Sequence, residues 1–280
     1  MIKNSVLLIN APDEIGLVYK TSGILFQMGL NIVHNSEFVD KNEKKFFMRT
    51  EIAGDFDSKY LLEQLEKSLP DRSNITIQVP KKKKVVLLVT KEAHCLGDLL
   101  IRHEFNELNA EIVAVVSNHQ FLEALTKKFN IPFHYVDHQD LSRELHEEKI
   151  FDVVDSYNPE YLVLAKYMRI LTPNFVKHYK DKIVNIHHSF LPAFIGAKPY
   201  LQAYNRGVKI IGATAHFVNN DLDEGPIIAQ EVIPVDHSDN ADDMAYAGHD
   251  VEKIVLAKAL RLVFDDKVFV HKNKTIIFDA

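Results

Sequence analysis

An amide, an imidazole and a carboxylate stand where strand-like runs give way to loop. Asn185 and His187 are two apart in the apolar run 183–187, so on a strand both project to one face, while Ile186 and His188 face the other way. An amide donor beside a titratable imidazole at the carboxyl end of a strand suits carbonyl chemistry, in which N–H groups meet an oxygen that gathers negative charge. A second apolar run, 213–218, leads into Asn219-Asn220-Asp221-Leu222-Asp223-Glu224-Gly225-Pro226, where Asp223 can supply a carboxylate to move protons. Together the three have the parts for proton-coupled acyl chemistry. A lone Asn or His near a strand end is also commonly a satisfied structural residue, and the residues alone leave both readings open.

Other chemistries find less support. Ser189 stands in His-His-Ser-Phe without the flanking glycines of a nucleophile elbow. A zinc site is suggested by His187, His188, His216 and Asp223, but adjacent strand residues diverge and no His-Glu-x-x-His helix exists, so no metal is expected. His249-Asp250 lies alone in a helical pattern and reads as a surface pair; Cys95 beside His94 reads as a small buried thiol. The run 85–89 is followed by Thr90-Lys91-Glu92-Ala93-His94-Cys95-Leu96-Gly97, which is no glycine-rich phosphate loop.

The positioning elements divide into two patterns. Residues 5–10 read as a strand, 17–28 as a helix that Asp13 can cap, 31–39 and 45–52 as a hairpin, 58–69 as a helix and 75–79 as a strand. This β-α-β-β-α-β order is ferredoxin-like. Pro80 and the four lysines 81–84 read as a solvated linker. Beyond it the continuous apolarity of 85–89 suits a buried parallel strand. Helices near 97–104, 120–129 and 141–157 then alternate with strands at 111–116, 133–136 and 161–165, which predicts a doubly wound sheet. In such sheets ligands lie beyond the carboxyl ends of the strands, where 166–171, 185–188 and 219–225 should converge. A helix over 241–263 and two short strands, 268–271 and 275–278, end the chain.

The 280 residues, 46% apolar and 26% charged, describe a globular chain without a membrane span. A net charge of −6 disfavours an extended nucleic-acid surface. A single cysteine excludes an internal disulfide and, with no apolar signal core at the start, points to the cytoplasm.

The first eighty residues, with Pro12-Asp13-Glu14-Ile15-Gly16-Leu17 after the first strand, resemble an ACT domain, a small-ligand regulatory module. Asn185-Ile186-His187, Ser189-Phe190-Leu191-Pro192, the strand 212–218 and Leu222-Asp223-Glu224-Gly225-Pro226-Ile227-Ile228 resemble the signature of formyltransferases that use formyltetrahydrofolate. With the ACT-like domain in front, and 94–100 and 187–197, the whole chain resembles the hydrolase branch of that family, the formyltetrahydrofolate deformylases.

The resemblance implies an α/β chain in two parts: a ferredoxin-like ACT domain over 1–80, a linker over 81–84, and a doubly wound, mostly parallel, Rossmann-like formyltransferase domain over 85–280. It implies hydrolysis of 10-formyltetrahydrofolate to formate and tetrahydrofolate, without a required cofactor, balancing the one-carbon pool for purine biosynthesis. Asn185 and His187 would polarise the formyl oxygen and Asp223 would move protons. Met168, Arg169, Leu171, His216 and Asn220 would bind folate, and Lys198 would meet its glutamate tail or face solvent. Residues 197–200 and 91–95 would close the entrance to amines. Asp13, Gly16 and Asn31 would bind an amino-acid effector, methionine or glycine, in a dimer or tetramer. An amine-dependent transferase and a silent folate-binding protein are the alternatives.

Overall fold

A computed structural model describes residues 4–194 and 198–279. Gly196 and the expected lid residue Ala197 lie outside them. The chain divides into two compact units, Met1–Lys81 with Phe278–Ala280 and Lys82–Ile277.

The first unit runs β1 (Ser5–Pro12), α1 (Leu17–Gln27), β2 (Asn31–Asp40), β3 (Lys45–Ala53), α2 (Ser58–Ser68) and β4 (Asn74–Gln78). Its antiparallel sheet has the order β2-β3-β1-β4. Alternate residues of β1, Leu7 and Ile9, bury one face against Leu17 and Leu25 of α1 and Leu61 and Leu65 of α2, the spacing that strand and helix periods dictate. Asp57 caps α2 through the backbone N–H groups of Lys59 and Tyr60. Asp13 does not cap α1, contrary to its sequence pattern. The cap position is Gly16, left-handed at φ 88°, and the Asp13 N–H instead donates to the Lys44 carbonyl at 2.9 Å.

The second unit runs β5 (Lys83–Val89), α3 (His94–Glu104), β6 (Ala110–Ser117), α4 (Glu123–Lys127), β7 (Phe133–Tyr135), α5 (Arg143–Ser156), β8 (Tyr161–Leu164), α6 (Pro173–His178), β9 (Ile183–His187), α7 (Pro199–Arg206), β10 (Ile210–Phe217), β11 (Ile227–Pro234), α8 (Ala241–Phe264), β12 (Val268–His271) and β13 (Lys274–Ile277). Seven strands form one sheet in the order β11-β10-β9-β8-β5-β6-β7. The strands β5 to β9 are parallel, while β10 runs antiparallel to β9 and β11 to β10. Helices cover both faces, which is why β5 is continuously apolar from Val85 to Val89: Val85, Leu87 and Val89 enter the core under α3 and α8, and Val86 and Leu88 enter the one beside α5 and α6. The strand order reverses at β5, between β6 and β8, which opens the usual ligand crevice at the carboxyl edge.

The expected linker gives its last two lysines to β5. Lys83 is buried and pairs with Asp266 at 2.9 Å, so a charge run does not imply solvation at every position. The helix expected over 120–129 shortens to α4. The helices α6 and α7, six and eight residues long, have no sequence counterpart, being too short to show a helical period.

Candidate active site

The antiparallel pairing of β9 with β10 builds the centre of the site. It sets Asn185 opposite His216 and His187 opposite Thr214, so Asn185, His187 and His216 share one face. Asn185 Nδ2 lies 3.2 Å from His216 Nε2. His216 Nδ1 faces the Phe217 carbonyl at 2.9 Å and therefore carries the ring proton, leaving Nε2 to accept from the amide. Burial lowers the His216 pKa, against the raising effect of that carbonyl bond and of Asp223. Asn185 is thus held through one amide hydrogen and keeps the other. A β-bulge interrupts the β10–β11 pairing between Ala215 and His216.

Asp223 arrives from the connection between β10 and β11. That connection is closed by Phe217 N–H to the Pro226 carbonyl at 2.9 Å and by Asn219 Oδ1, which accepts from the Asp221 N–H at 3.1 Å. His187 Nδ1 lies 3.2 Å from Asp223 Oδ1, and His216 Nε2 lies 4.0 Å from the same oxygen. Burial would raise the Asp223 carboxyl, but the hydrogen bond and charge of His187, with His216 and His188 behind, outweigh it and hold the group below the usual carboxylate range. His187 Nε2 is buried and has no hydrogen-bond partner among the described residues.

These groups line one cavity of about 340 Å³, whose other wall is apolar or flexible: Met168, Arg169, Ile170, Leu171 and Leu222, with Asn220 at the rim. Of the residues expected to meet folate, Met168, Arg169, Leu171, His216 and Asn220 all line it. Lys198 does not; it is exposed and left-handed just before α7. Thr214 pins the segment after β9, accepting from Leu191 N–H at 3.0 Å and Gln230 Nε2 at 2.9 Å and donating to the Ser189 carbonyl at 2.9 Å. In the first unit Asp13 and Asn31 are exposed, and the polar side chains of β2 are partly satisfied locally: Asn35 donates to Glu37 at 2.7 Å and accepts from Thr50 at 2.6 Å.

His187 and His188 do not diverge as strand alternation implies. The strand ends at His187, and the two rings stack with centroids 5.1 Å apart and planes 25° apart. Nor is His249 alone: its ring stacks on His94 at 4.1 Å. Both belong to surroundings that sequence patterns missed, centred on Glu252. This fully buried carboxylate accepts from His94 Nε2 at 2.8 Å and Tyr200 Oη at 2.6 Å, and meets Lys166 Nζ at 3.1 Å. Burial would raise it; those bonds and the ammonium bring it down to about 2. The available signal was a glutamate in the apolar stripe of the last long helix. Glu92, His94 and His249, or His94, Cys95 and Glu252, have metal-ligand atoms within reach of one another, but the Lys166 ammonium, 3.5 Å from Glu92 and 3.1 Å from Glu252, already supplies a cation there.

An amide, two imidazoles and a carboxylate at the strand edge of a doubly wound sheet, around a cavity sized for a small metabolite, define an acyl-handling α/β protein. Residues 83–260 match the model of the formyl transferase family, and the chain belongs to that family. Within it the likeness is to deformylases. The formyltetrahydrofolate deformylase of Haemophilus influenzae is 55% identical over 277 residues, covering 99% of this chain and 100% of the relative. The crystal structure of a formyltetrahydrofolate deformylase from Pseudomonas syringae pv. tomato superposes with a TM-score of 0.95 at 41% identity, covering 100% of this chain and 95% of that one. A glycinamide ribonucleotide transformylase from Symbiobacterium toebii reaches a TM-score of 0.69 at 25% identity, over 74% of this chain and 98% of its own.

Proposed function

We infer that the cavity hydrolyses 10-formyltetrahydrofolate to formate and tetrahydrofolate. The observation that carries this is the convergence of Asn185, held by His216, and His187, held by Asp223, on one cavity in a chain alike over its full length to deformylases. The pterin lies along Met168, Arg169 and Leu171, with Asn220 opposite. Lys198, exposed and outside the cavity, is read as meeting the projecting glutamate tail of the substrate or facing solvent.

The formyl oxygen meets the free amide hydrogen of Asn185 and a ring N–H of His187, whose Nδ1 lies beside the Asp223 carboxylate. Such preorganised donors act where charge develops. Water attacks the formyl carbon, Asp223 takes a proton from it as the bond forms, and a proton is returned to the departing folate nitrogen. No cofactor enters this sequence.

The first unit is read as an ACT module that senses methionine or glycine through Asp13, Gly16 and Asn31, within a homo-oligomer and in the cytoplasm. The deciding measurement is formate release from 10-formyltetrahydrofolate with no metal and no amine acceptor. Formate matched by tetrahydrofolate supports the hydrolase; folate binding without formate moves the reading to an amine-dependent transferase. Added methionine or glycine should then change the rate, and a monomer indifferent to both would argue against the regulatory reading.

A further inference from the structure

We propose that His188 accepts a hydrogen bond from the nucleophilic water and so sets the line along which it meets the formyl carbon. This rests on the hydrolase reading above. Hydrolysis requires a held water as well as an activated carbonyl, and on the reading above the remaining donors of Asn185 and His187 are taken by the formyl oxygen. Asn185 is bonded to His216, and His187 faces Asp223. His188 lines the same cavity, is half-buried, and makes no hydrogen bond or ion pair with any described residue.

Its ring is nevertheless fixed. It stacks on His187 and lies 6.1 Å from the ring of Tyr200, whose hydroxyl is anchored on Glu252 at 2.6 Å. Burial, helped by the Lys166 ammonium and only partly opposed by Glu252, lowers His188 to about 4. The ring is therefore neutral at physiological pH and keeps one nitrogen lone pair, an acceptor that an imidazolium would lack. A water bonded to that nitrogen through one O–H has its other O–H for Asp223, so no proton passes to His188. The Glu252 network thereby gains a role: it holds Tyr200 beside the water-binding ring.

Hydroxylamine provides the test, since it captures the formyl group as formohydroxamate without needing the held water. His188→Leu keeps bulk and removes the acceptor, His188→Ala removes both, and His188→Gln restores an acceptor. In the first two, formate release should fall about a hundredfold. Their KM should change little, and the ratio of formohydroxamate to formate should rise about tenfold or more. His188→Gln should recover most formate release. A product ratio unchanged in both acceptor-free variants, or products falling in parallel, overturns the assignment. Wild-type protein that releases no formate fails the parent reading instead, whereas wild-type hydrolysis with unshifted variants fails only this one.

Discussion

Asp223 has two imidazoles within 4.0 Å and a left-handed backbone at φ 59°. Asparagine is among the few side chains that tolerate that conformation, so Asp223→Asn removes the charge and leaves the turn intact. The variant should lose turnover by roughly 10²- to 10⁴-fold, the usual range for a general acid or base. Tetrahydrofolate binding should weaken only modestly, and undiminished turnover would sink the role given to this carboxylate. Asn185→Ala removes a different part. It takes away one donor to the formyl oxygen and leaves His216 Nε2 without the amide, so kcat should fall roughly 10²- to 10³-fold with KM little changed. A raised KM at constant kcat would instead mark Asn185 as a ground-state binding residue.

At the scale of elements, the site depends on how β10 returns to β11. A Cβ on Gly225 would lie 1.7 Å from the Phe217 carbonyl oxygen, which is backbone and cannot step aside as a side chain can. Gly225→Ala should therefore open the closure between Phe217 and Pro226, destabilise the protein by about 1–3 kcal/mol, and lower kcat by displacing Asp223 two residues away. A thermal melt and a rate measurement on one sample check both effects; unchanged values would mean that the loop is not held by this contact. These closures also explain what could be read in advance. Asn185, His187 and Asp223 were legible because strand period and loop composition put them at one sheet edge. The stacking of His188 on His187 was not, because it depends on the strand ending at His187. The bulge at His216 leaves no mark on local composition. Lys166, Tyr200 and Glu252 come from three separate segments, and only the folded sheet makes them a cluster.

For the molecule as a whole, the buried titratable groups favour stability at neutral pH and instability in acid. Burial lowers His146, His188, His216 and His249, so between the ordinary histidine value of 6.5 and each folded value the unfolded chain binds more protons than the folded one. Stability must then fall as pH falls through that window, which for His188 reaches down to about 4. Glu252 continues the trend in the same direction. Its contribution is full above its ordinary 4.5 and is lost as pH drops through about 2. Glu147, raised by burial despite its bonds from Thr172, works the opposite way, but it is one group against several. The thermal midpoint should decline steadily from about pH 6.5 downwards and keep declining below pH 4.5, where the unfolded chain takes a proton at Glu252 that the folded carboxylate refuses down to about 2. Glu252→Gln separates the contributions. Near neutrality it should be strongly destabilised, because Lys166 keeps a buried charge without its main partner. Below pH 4.5 the gap between wild type and variant should close as the wild-type carboxylate loses its own advantage. A gap that stays constant from pH 7 to acid would mean that the Glu252 network contributes by packing and not by charge.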